Sequence, residues 1–256
     1  MTASPATPAE LPSRDEAILL DLARVRLLTG RQLERLHFAD VSTQLSRSSA
    51  RRRSLTRLQS QQLVTTLPRR VGGERAGSAG LVYTLDSAGQ RHLNQLADTE
   101  QRIRRPWQIG SLFVAHTLDV AELYVRLIEQ QRAGALALHR FEAEPASWHR
   151  AGYQLLKPDA YAVWTTPDWE QHRWLEVDRA TESLPTLRRK LLTYTEAAIS
   201  GDQGPAGVWP LVVVTVPNLK RLTAVQRIIA ELPTPAEQFI STELFVDTFR
   251  EDDNVP

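Results

Sequence analysis

The N-terminal part of the chain repeats the spacing of apolar residues that is typical of helices. Residues 14–28 carry a stripe with the 3.6-residue period, made of Ile18, Leu19, Leu22, Val25 and Leu28. Thr29 is a good capping residue and predicts a second helix over residues 30–38, and residues 43–63 predict a third. Short extended patterns at residues 64–67 and 81–85 flank a loop rich in Gly and Arg, which predicts a hairpin. A further helix is expected over residues 87–97.

The rest of the chain alternates between helical and extended patterns. Helices are predicted over residues 109–132, 184–199 and 224–232, and strands over residues 136–141, 159–164, 173–178 and 211–216, with a last strand or turn in 243–249. This order, α-β-β-β-α-β-α-(β), predicts an α/β (α+β) fold. We expect a tail over residues 1–12, a first domain over 13–98, a linker over 99–108 and a second domain over 109–250.

The stretch from residue 157 to 182 is the most unusual, because it collects carboxylates. The alternation of the second strand places Glu176 and Asp178 on one face. Pairing with the preceding strand brings Asp159 near Glu176. Three carboxylates at one end of a sheet repel each other unless a cation or a basic side chain lies among them. The sequence therefore predicts a charged centre here.

Composition excludes several classes of site. The 256 residues include no cysteine, which rules out disulfides, thiolate nucleophiles and cysteine zinc sites. No apolar run is long enough to span a bilayer, and residues 2–12 form a Pro/Ala/Thr tail that we expect to be disordered. We expect a cytoplasmic protein, associated with a nucleoid or plasmid and not with a membrane.

The net charge of +1 hides a strong asymmetry along the chain. Residues 1–110 hold 17 Arg and no Lys against 10 acidic residues, and residues 111–256 hold 14 basic against 20 acidic residues. Eight of the arginines fall in residues 43–75, where the only acid is Glu74. A basic module before an acidic one indicates nucleic-acid binding at the front of the chain. The alternative is a solvated, arginine-rich helix.

A helical wheel divides the third helix into two faces. The inward face is expected to hold Leu45, Ser48, Leu55 and Leu58. The opposite face carries Thr43, Ser46, Ser49, Ala50, Arg53 and Arg57, with Arg47 and Arg52 at its flanks. Small polar residues and arginines suit base edges in a major groove, and the flanking arginines suit phosphates. The loop arginines Arg69, Arg70 and Arg75 are expected to reach the adjacent backbone or minor groove.

Three helices followed by a hairpin are the order of a winged helix-turn-helix domain. The segment of residues 49–64, SARRRSLTRLQSQQLV, resembles the recognition helix and first wing strand of many such proteins. We expect it to bind double-stranded DNA. A homodimer is also expected, because one winged helix covers about one half-site. The alternative is a winged helix that contacts proteins.

The second domain resembles the PD-(D/E)xK nuclease superfamily. Pro158-Asp159 matches its first element, and Glu176-Val177-Asp178 matches the second, except that Asp178 stands where the family has lysine. The resemblance implies a catalytic set of Asp159, Glu176, Asp178 and Lys190, with Mg²⁺ held by Asp159 and Glu176. Lys190 on the following helix or Lys157 at the strand start would replace the missing lysine. Glu122 corresponds to the helix-borne acid of some members.

More narrowly, the chain resembles the plasmid replication-relaxation family over roughly residues 14–245. The matching segments are residues 116–122, HTLDVAE, residues 157–160, KPDA, and residues 175–182, LEVDRATE, together with Lys190 and Tyr194. The resemblance implies a DNA-binding role in replication or nicking of plasmids and mobile elements. Replication or mobilisation proteins would be its partners.

Other interpretations remain open at this point. The nuclease-like centre is inactive if its acids are held in ion pairs by Arg173, Arg179, Arg188 or Arg189. The protein would then be a transcriptional regulator with a dimerisation domain, or an adaptor that binds only proteins. The histidines His116, His149 and His172 lack ligand spacing and are expected on the surface or in the core. Most of the six tryptophans are expected to pack, although tryptophan also stacks on unpaired bases.

Overall fold

The computed structural model describes residues 11–70, 80–99, 103 and 111–249, without the side chains of residues 68–70 and 111. The chain divides into two compact units, Met1–Ile109 and Gly110–Pro256. Most of the predicted tail and nearly all of the predicted linker lie outside the described residues. Within the described ranges, none of the helices combines the length and the apolarity that crossing a membrane would need.

The first unit contains helices around a small antiparallel sheet. Its elements are α1 (Ser13–Val25), β1 (Leu28–Thr29), α2 (Gly30–His37), α3 (Gln44–Ser60), β2 (Val64–Arg70), β3 (Leu81–Leu85) and α4 (Ser87–Leu96). The strand order is β1-β3-β2. The predicted order of helices and hairpin is thus observed. Leu28 lies in β1 and not in a helix, because α1 ends at Val25 and Arg26 has a positive φ of 70°.

Side-chain caps define where the helices of the first unit begin. Thr29 and Gln32 form a capping box at α2, in which the Thr29 hydroxyl accepts from the Gln32 N–H at 3.1 Å. Thr43 caps α3 in the same way, accepting from the Ser46 N–H at 3.2 Å. These bonds satisfy N–H groups that have no partner within their own helix.

The inward face of α3 differs from the predicted one at its first half. Leu45 is 83% exposed, so its predicted inward position is wrong, whereas Leu55 and Leu58 are buried as expected. The stripe that faces α2 is polar: Gln44, Ser48 and Arg51 all donate to the Glu34 carboxylate. A buried carboxylate requires such donors, so the polar stripe replaces the apolar contact that the wheel assigned to Leu45.

The second unit is built on a five-stranded mixed sheet, which makes the fold of α+β type. Its elements are α5 (Ser111–Ala133), β4 (Ala137–Ala143), β5 (His149–Ala151), β6 (Gln154–Leu156), β7 (Ala160–Thr165), β8 (Glu170–Val177), α6 (Leu184–Ile199), β9 (Leu211–Val216), α7 (Leu219–Ala230), α8 (Ala236–Phe239) and β10 (Ile240–Leu244). The strand order is β10-β9-β8-β7-β4. Strands β8, β9 and β10 are parallel, and β7 is antiparallel to both β4 and β8.

The main core of the second unit lies between this sheet and helices α6 and α7. Trp174 of β8 is fully buried and packs against Tyr194 on α6, with 5.4 Å between the centroids of the two rings. Val212 and Val214 of β9 and Val225 of α7 belong to the same core. Strand alternation places Glu176 on the same face as Trp174. A carboxylate therefore points from the sheet toward α6.

Several elements of the second unit differ from the sequence predictions. Strand β8 ends at Val177, so Asp178 lies beyond it. Helix α7 begins at Leu219 because Asn218 caps it, accepting from the Arg221 N–H at 3.0 Å. The last strand is Ile240–Leu244 and not residues 243–249. Sequence patterns missed the hairpin β5–β6, whose strands have only three residues each, and the short helix α8.

Candidate functional site

Two strands of the central sheet bring Asp159 and Glu176 into one cluster. Asp159 immediately precedes β7, and Glu176 lies one residue from the end of the adjacent β8, where Ala160 pairs with Leu175. The Asp159 carboxylate accepts from the Val177 N–H at 2.7 Å through Oδ2. Both side chains are almost completely buried. This register explains why the two acids meet at one end of the sheet.

Helix α6 adds a cation and a hydroxyl to these acids. Lys190 and Tyr194 are one helical turn apart and point to the same side. The Lys190 ammonium contacts Oε2 of Glu176 directly and lies 3.9 Å from Oδ1 of Asp159. The Tyr194 hydroxyl donates to Oε1 of Glu176 at 2.5 Å. The predicted site residues Asp159, Glu176 and Lys190 are thus together, and Tyr194 joins them.

Helix α5 contributes His116, which the sequence analysis expected in the core or on the surface. Its Nε2 lies 3.2 Å from Oδ1 of Asp159, and its side chain is about a quarter exposed. The spacing of the histidines gave no indication of this contact, because His116 and Asp159 are far apart in sequence. The only sequence signal was the position of His116 at the start of a segment that resembles a known family.

Asp178 lies in a separate ion pair. Its carboxylate accepts from the Arg221 guanidinium at 2.5 and 3.2 Å and from the Ala180 N–H at 2.7 Å. Arg221 also donates to the carbonyl of Glu182 at 2.9 Å. Asp178 therefore fixes the turn between β8 and α6, and the structure does not place it with Lys190 and the other two acids.

Other residues that the sequence singled out also have partners elsewhere. Glu122 pairs with Arg126 at 3.4 Å, and Lys157 lies 4.9 Å above the Trp148 ring. Arg179 pairs with Asp119 on α5. Arg173 stacks over the Trp164 ring, while Arg188 and Arg189 are exposed on α6. The cation that contacts both acids is Lys190.

The pKa values within the cluster are shifted in opposite directions. Burial raises the pKa of Glu176 to about 8, and the nearby Asp159 adds to this effect against the attraction of Lys190. Burial would also raise the pKa of Asp159, but Lys190 and His116 lower it below its ordinary value. Burial would lower the pKa of Lys190 and of His116, yet the acids raise both. The pKa of Asp159 thus lies below its ordinary value and that of Glu176 lies above its own, although both acids contact Lys190.

The cluster offers the kind of ligand atoms that a magnesium ion prefers, namely carboxylate oxygens. Mg²⁺ binds oxygen and often takes only one or two carboxylates, with water as its other ligands. Asp159 and Glu176 supply two carboxylates on neighbouring strands. Among the described residues there is no group of three or more His, Cys, Asp or Glu side chains placed to hold one ion. An ion would therefore have two protein ligands and would compete with Lys190 for their oxygens.

The exposed side of α3 is a second candidate site, in the first unit. Arg52 and Arg53 are exposed along the middle of the helix. Arg57, which the wheel placed on this side, instead donates to Asp15 of α1 at 2.7 Å. Arg47 donates to the Val41 carbonyl at 2.6 Å. The arginines of α3 therefore divide into two that project and others that stabilise the unit.

The small residues of α3 have mixed positions. Thr43 is exposed but acts as the helix cap, and its hydroxyl also bonds the Ser46 hydroxyl at 2.9 Å. Ser49 is half-buried. The backbone of Arg69 and Arg70 lies in β2, their side chains are outside the described part, and Arg75 lies outside it altogether.

Comparison with known families identifies a match over most of the chain. The family model described as "Replication-relaxation" matches residues 19–212. The matched range includes α3, β2 and β3. It also includes the Asp159 cluster, which consists of Asp159, Glu176, Lys190, Tyr194 and His116. Searches of curated proteins and of solved structures return no significant match.

Proposed function

Because this chain belongs to the replication-relaxation family, we propose that it binds double-stranded DNA during replication or mobilisation of a plasmid or mobile element. Family membership supports the role in replication. The proposal adds that the first unit is a winged helix whose α3 enters the major groove. It would act as a homodimer, because one such unit covers about one half-site, and would cooperate with replication or mobilisation proteins.

The exposure of Arg52 and Arg53 carries this proposal. Both project from α3, whereas Arg51 is buried against Glu34 at 2.5 Å. An exposed guanidinium on a helix can bond guanine in a bidentate way or neutralise a phosphate. The net charge of the N-terminal 110 residues, 17 Arg against 10 acids, favours the same partner.

A titration with duplex DNA tests the proposal. The double variant Arg52→Gln, Arg53→Gln should bind a labelled duplex at least about tenfold more weakly. The slope of log affinity against log salt concentration should also become shallower by roughly one for each arginine that no longer neutralises a phosphate. Arg91→Gln, which removes an exposed arginine from α4, is the matched control. Equal affinity of the double variant and the control would refute binding through α3.

A second candidate function is Mg²⁺-dependent nicking by the second unit, which would then be a PD-(D/E)xK-type domain. The contact of Lys190 with Glu176 and its approach to Asp159 favour it, because an ammonium from α6 reaches the acids that lack a lysine at position 178. A bound ion would supply Lewis-acid chemistry at a phosphate. Tyr194 and His116 would orient the two carboxylates, and Lys190 would present positive charge beside them.

A plasmid assay separates this candidate from a purely DNA-binding role. Wild-type protein with Mg²⁺ or Mn²⁺ should convert supercoiled plasmid to the open circle, and Asp159→Ala, Glu176→Ala should not. Lys190→Ala should also lose nicking, while Lys220→Ala, which removes an exposed lysine on α7, should retain it. If the wild type leaves the plasmid intact, the nicking proposal is wrong. The alternative of a regulator with an inactive second domain would then be favoured.

A further inference from the structure

The hairpin β5–β6 presents an exposed face of aromatic and basic side chains in the second unit. We call this the hairpin face and define it as Trp148, Arg150, Tyr153, Leu155 and Lys157, all of which are exposed. Tyr153 has no part of its side chain covered, and Trp148 is 40% exposed. A contiguous exposed patch of apolar side chains rimmed by polar ones is typical of an interaction site.

Strand geometry puts these residues on one side. Arg150 pairs with Leu155, and the neighbouring pair of His149 and Leu156 points the opposite way. Ala151 and Leu156 belong to the apolar core with α6, so the other side of the hairpin faces outward. Continuing the register places Trp148 opposite Lys157, and the Lys157 ammonium lies 4.9 Å above the Trp148 ring.

A tight turn displays Tyr153 at the tip. Ala151 pairs with Gln154, which leaves Gly152 and Tyr153 as a two-residue turn. Gly152 has a φ of +56°, a conformation that glycine adopts without strain. The ring of Tyr153 is therefore held outward by a short, defined connection.

The charge of the hairpin contrasts with the unit that carries it. Residues 148–157, WHRAGYQLLK, contain no Asp or Glu and include Arg150 and Lys157. Residues 111–256 as a whole hold 20 acidic against 14 basic residues. Aromatic rings with flanking cations and without acids are the pattern that binds single-stranded nucleic acid, since the rings stack on bases and the cations meet phosphates.

The hairpin is joined to Asp159 at both of its ends. Lys157 and Pro158 lead directly into Asp159, and the Ser147 hydroxyl donates to the Pro158 carbonyl at 2.6 Å. On the other side, the Glu144 N–H donates to the Asp159 carbonyl at 3.0 Å. A nucleic-acid strand bound on the hairpin face would therefore have a fixed position relative to the backbone of Asp159.

From these observations we propose that the hairpin face binds single-stranded DNA, with unpaired bases stacked on Trp148 and Tyr153 and phosphates near Arg150 and Lys157. The inference rests on the proposed function, in that the chain acts on DNA. It adds a second DNA site, distinct from α3, that takes unpaired strands next to the Asp159 cluster. Strand separation in replication or nicking would supply such strands.

Fluorescence anisotropy with labelled oligo-dT of about 20 nucleotides tests this site. The measurement uses the full chain in the Arg52→Gln, Arg53→Gln background, so that α3 does not contribute. Trp148→Ala and Tyr153→Ala should each weaken binding about tenfold, because each removes a ring on which a base stacks. Tyr153→Phe should retain the affinity. Trp169→Ala removes another exposed tryptophan, from the β7–β8 connection, and should have no effect.

The outcomes distinguish this inference from the function proposed above. Loss of oligo-dT binding in the alanine variants, with duplex binding of the same variants intact in the native Arg52/Arg53 background, supports the hairpin site. Absence of oligo-dT binding, or equal binding by Tyr153→Ala and Trp169→Ala, overturns it and leaves the face to a protein partner. If duplex binding does not depend on Arg52 and Arg53 but oligo-dT binding depends on Tyr153, the proposal for α3 fails and the hairpin site stands.

Discussion

Lys190 and Glu176 form a direct ion pair between α6 and the end of β8, and the same ammonium lies 3.9 Å from the Asp159 carboxylate. One cation thus neutralises two carboxylates that are nearly excluded from water. The pair also anchors α6 to the sheet, because Tyr194, one turn further along α6, donates to the other oxygen of Glu176. Stability and chemistry at this site therefore depend on the same contact.

Replacing Lys190 by methionine should destabilise the second unit by about 3 kcal/mol, because it leaves two buried carboxylates without their cation. Urea unfolding followed by tryptophan fluorescence measures this, since five of the six tryptophans lie in the second unit. Lys220→Met, at an exposed lysine of α7, should change the stability by less than about 0.5 kcal/mol. Similar midpoints for the two variants would show that Lys190 does not stabilise the cluster.

The stability of the second unit should fall as the pH rises from about 5 to about 9, by roughly 4 kcal/mol. The pKa of Glu176 is about 8 in the folded protein, against an ordinary value of 4.5. Between these values the folded state binds more protons than the unfolded state, so raising the pH favours unfolding. His116, whose pKa is also raised, acts in the same direction above its ordinary value of 6.5.

The lowered pKa of Asp159 does not cancel this trend, because its contribution disappears only as the pH falls below the ordinary value of 3.8. Urea midpoints at several pH values measure the effect. Glu176→Gln should flatten the pH dependence, since glutamine does not titrate. A steep decline that persists in Glu176→Gln would assign the effect to other groups.

In the first unit, Arg57→Gln should reduce stability by about 2 kcal/mol, with little effect on DNA affinity. Arg57 donates to Asp15, whose side chain is completely buried and whose Oδ1 has no hydrogen-bond partner among the described residues. The cost is below that of a fully buried pair because Arg57 is partly exposed. Asp15 also raises the pKa of Arg57 through their hydrogen bond, so the arginine stays charged.

Hydrogen exchange of the α1 amides measures this change locally. Arg53→Gln is the control, since Arg53 is exposed and belongs to the face proposed for DNA. Arg57→Gln should show faster exchange of the α1 amides and unchanged affinity for the duplex. Arg53→Gln should show unchanged exchange and weaker binding to the duplex. Loss of DNA affinity in Arg57→Gln at unchanged stability would contradict the structural role of the pair.

Local patterns predicted most helices and strands of this fold. The bounds of α6 follow from its cap Ser183, the early Pro185 and a regular apolar stripe, and β9 follows from a continuous apolar run. Residues whose partners lie far away in sequence were not predictable in this way. Arg57 and Asp15 are 42 residues apart, and Arg221 and Asp178 are 43 apart. A helical wheel assigns a side to each residue but does not identify such partners.

The residues of the candidate site were likewise predicted only in part. Resemblance to a known family indicated Asp159, Glu176 and Lys190, and the structure brings these three together. It also indicated Asp178, but β8 ends one residue earlier, so the strand alternation that aligned Asp178 with Glu176 does not extend to it. The three-residue strands of the hairpin β5–β6 are too short for their period to be distinguished from a loop.

Gly89→Ala should destabilise the first unit by about 2 kcal/mol, although alanine is the better helix former. A Cβ on Gly89 would lie 2.2 Å from the carbonyl oxygen of Leu63, which is backbone and has little room to move. That carbonyl accepts from the Asp86 N–H at 2.9 Å, so displacing it would also disturb the start of α4. Ser87→Ala, at the first position of the same helix, is the control and should cost less than about 0.5 kcal/mol. Thermal unfolding followed by circular dichroism checks both variants, and a Gly89→Ala protein as stable as the wild type would show that α4 does not pack this closely against Leu63, in the turn between α3 and β2.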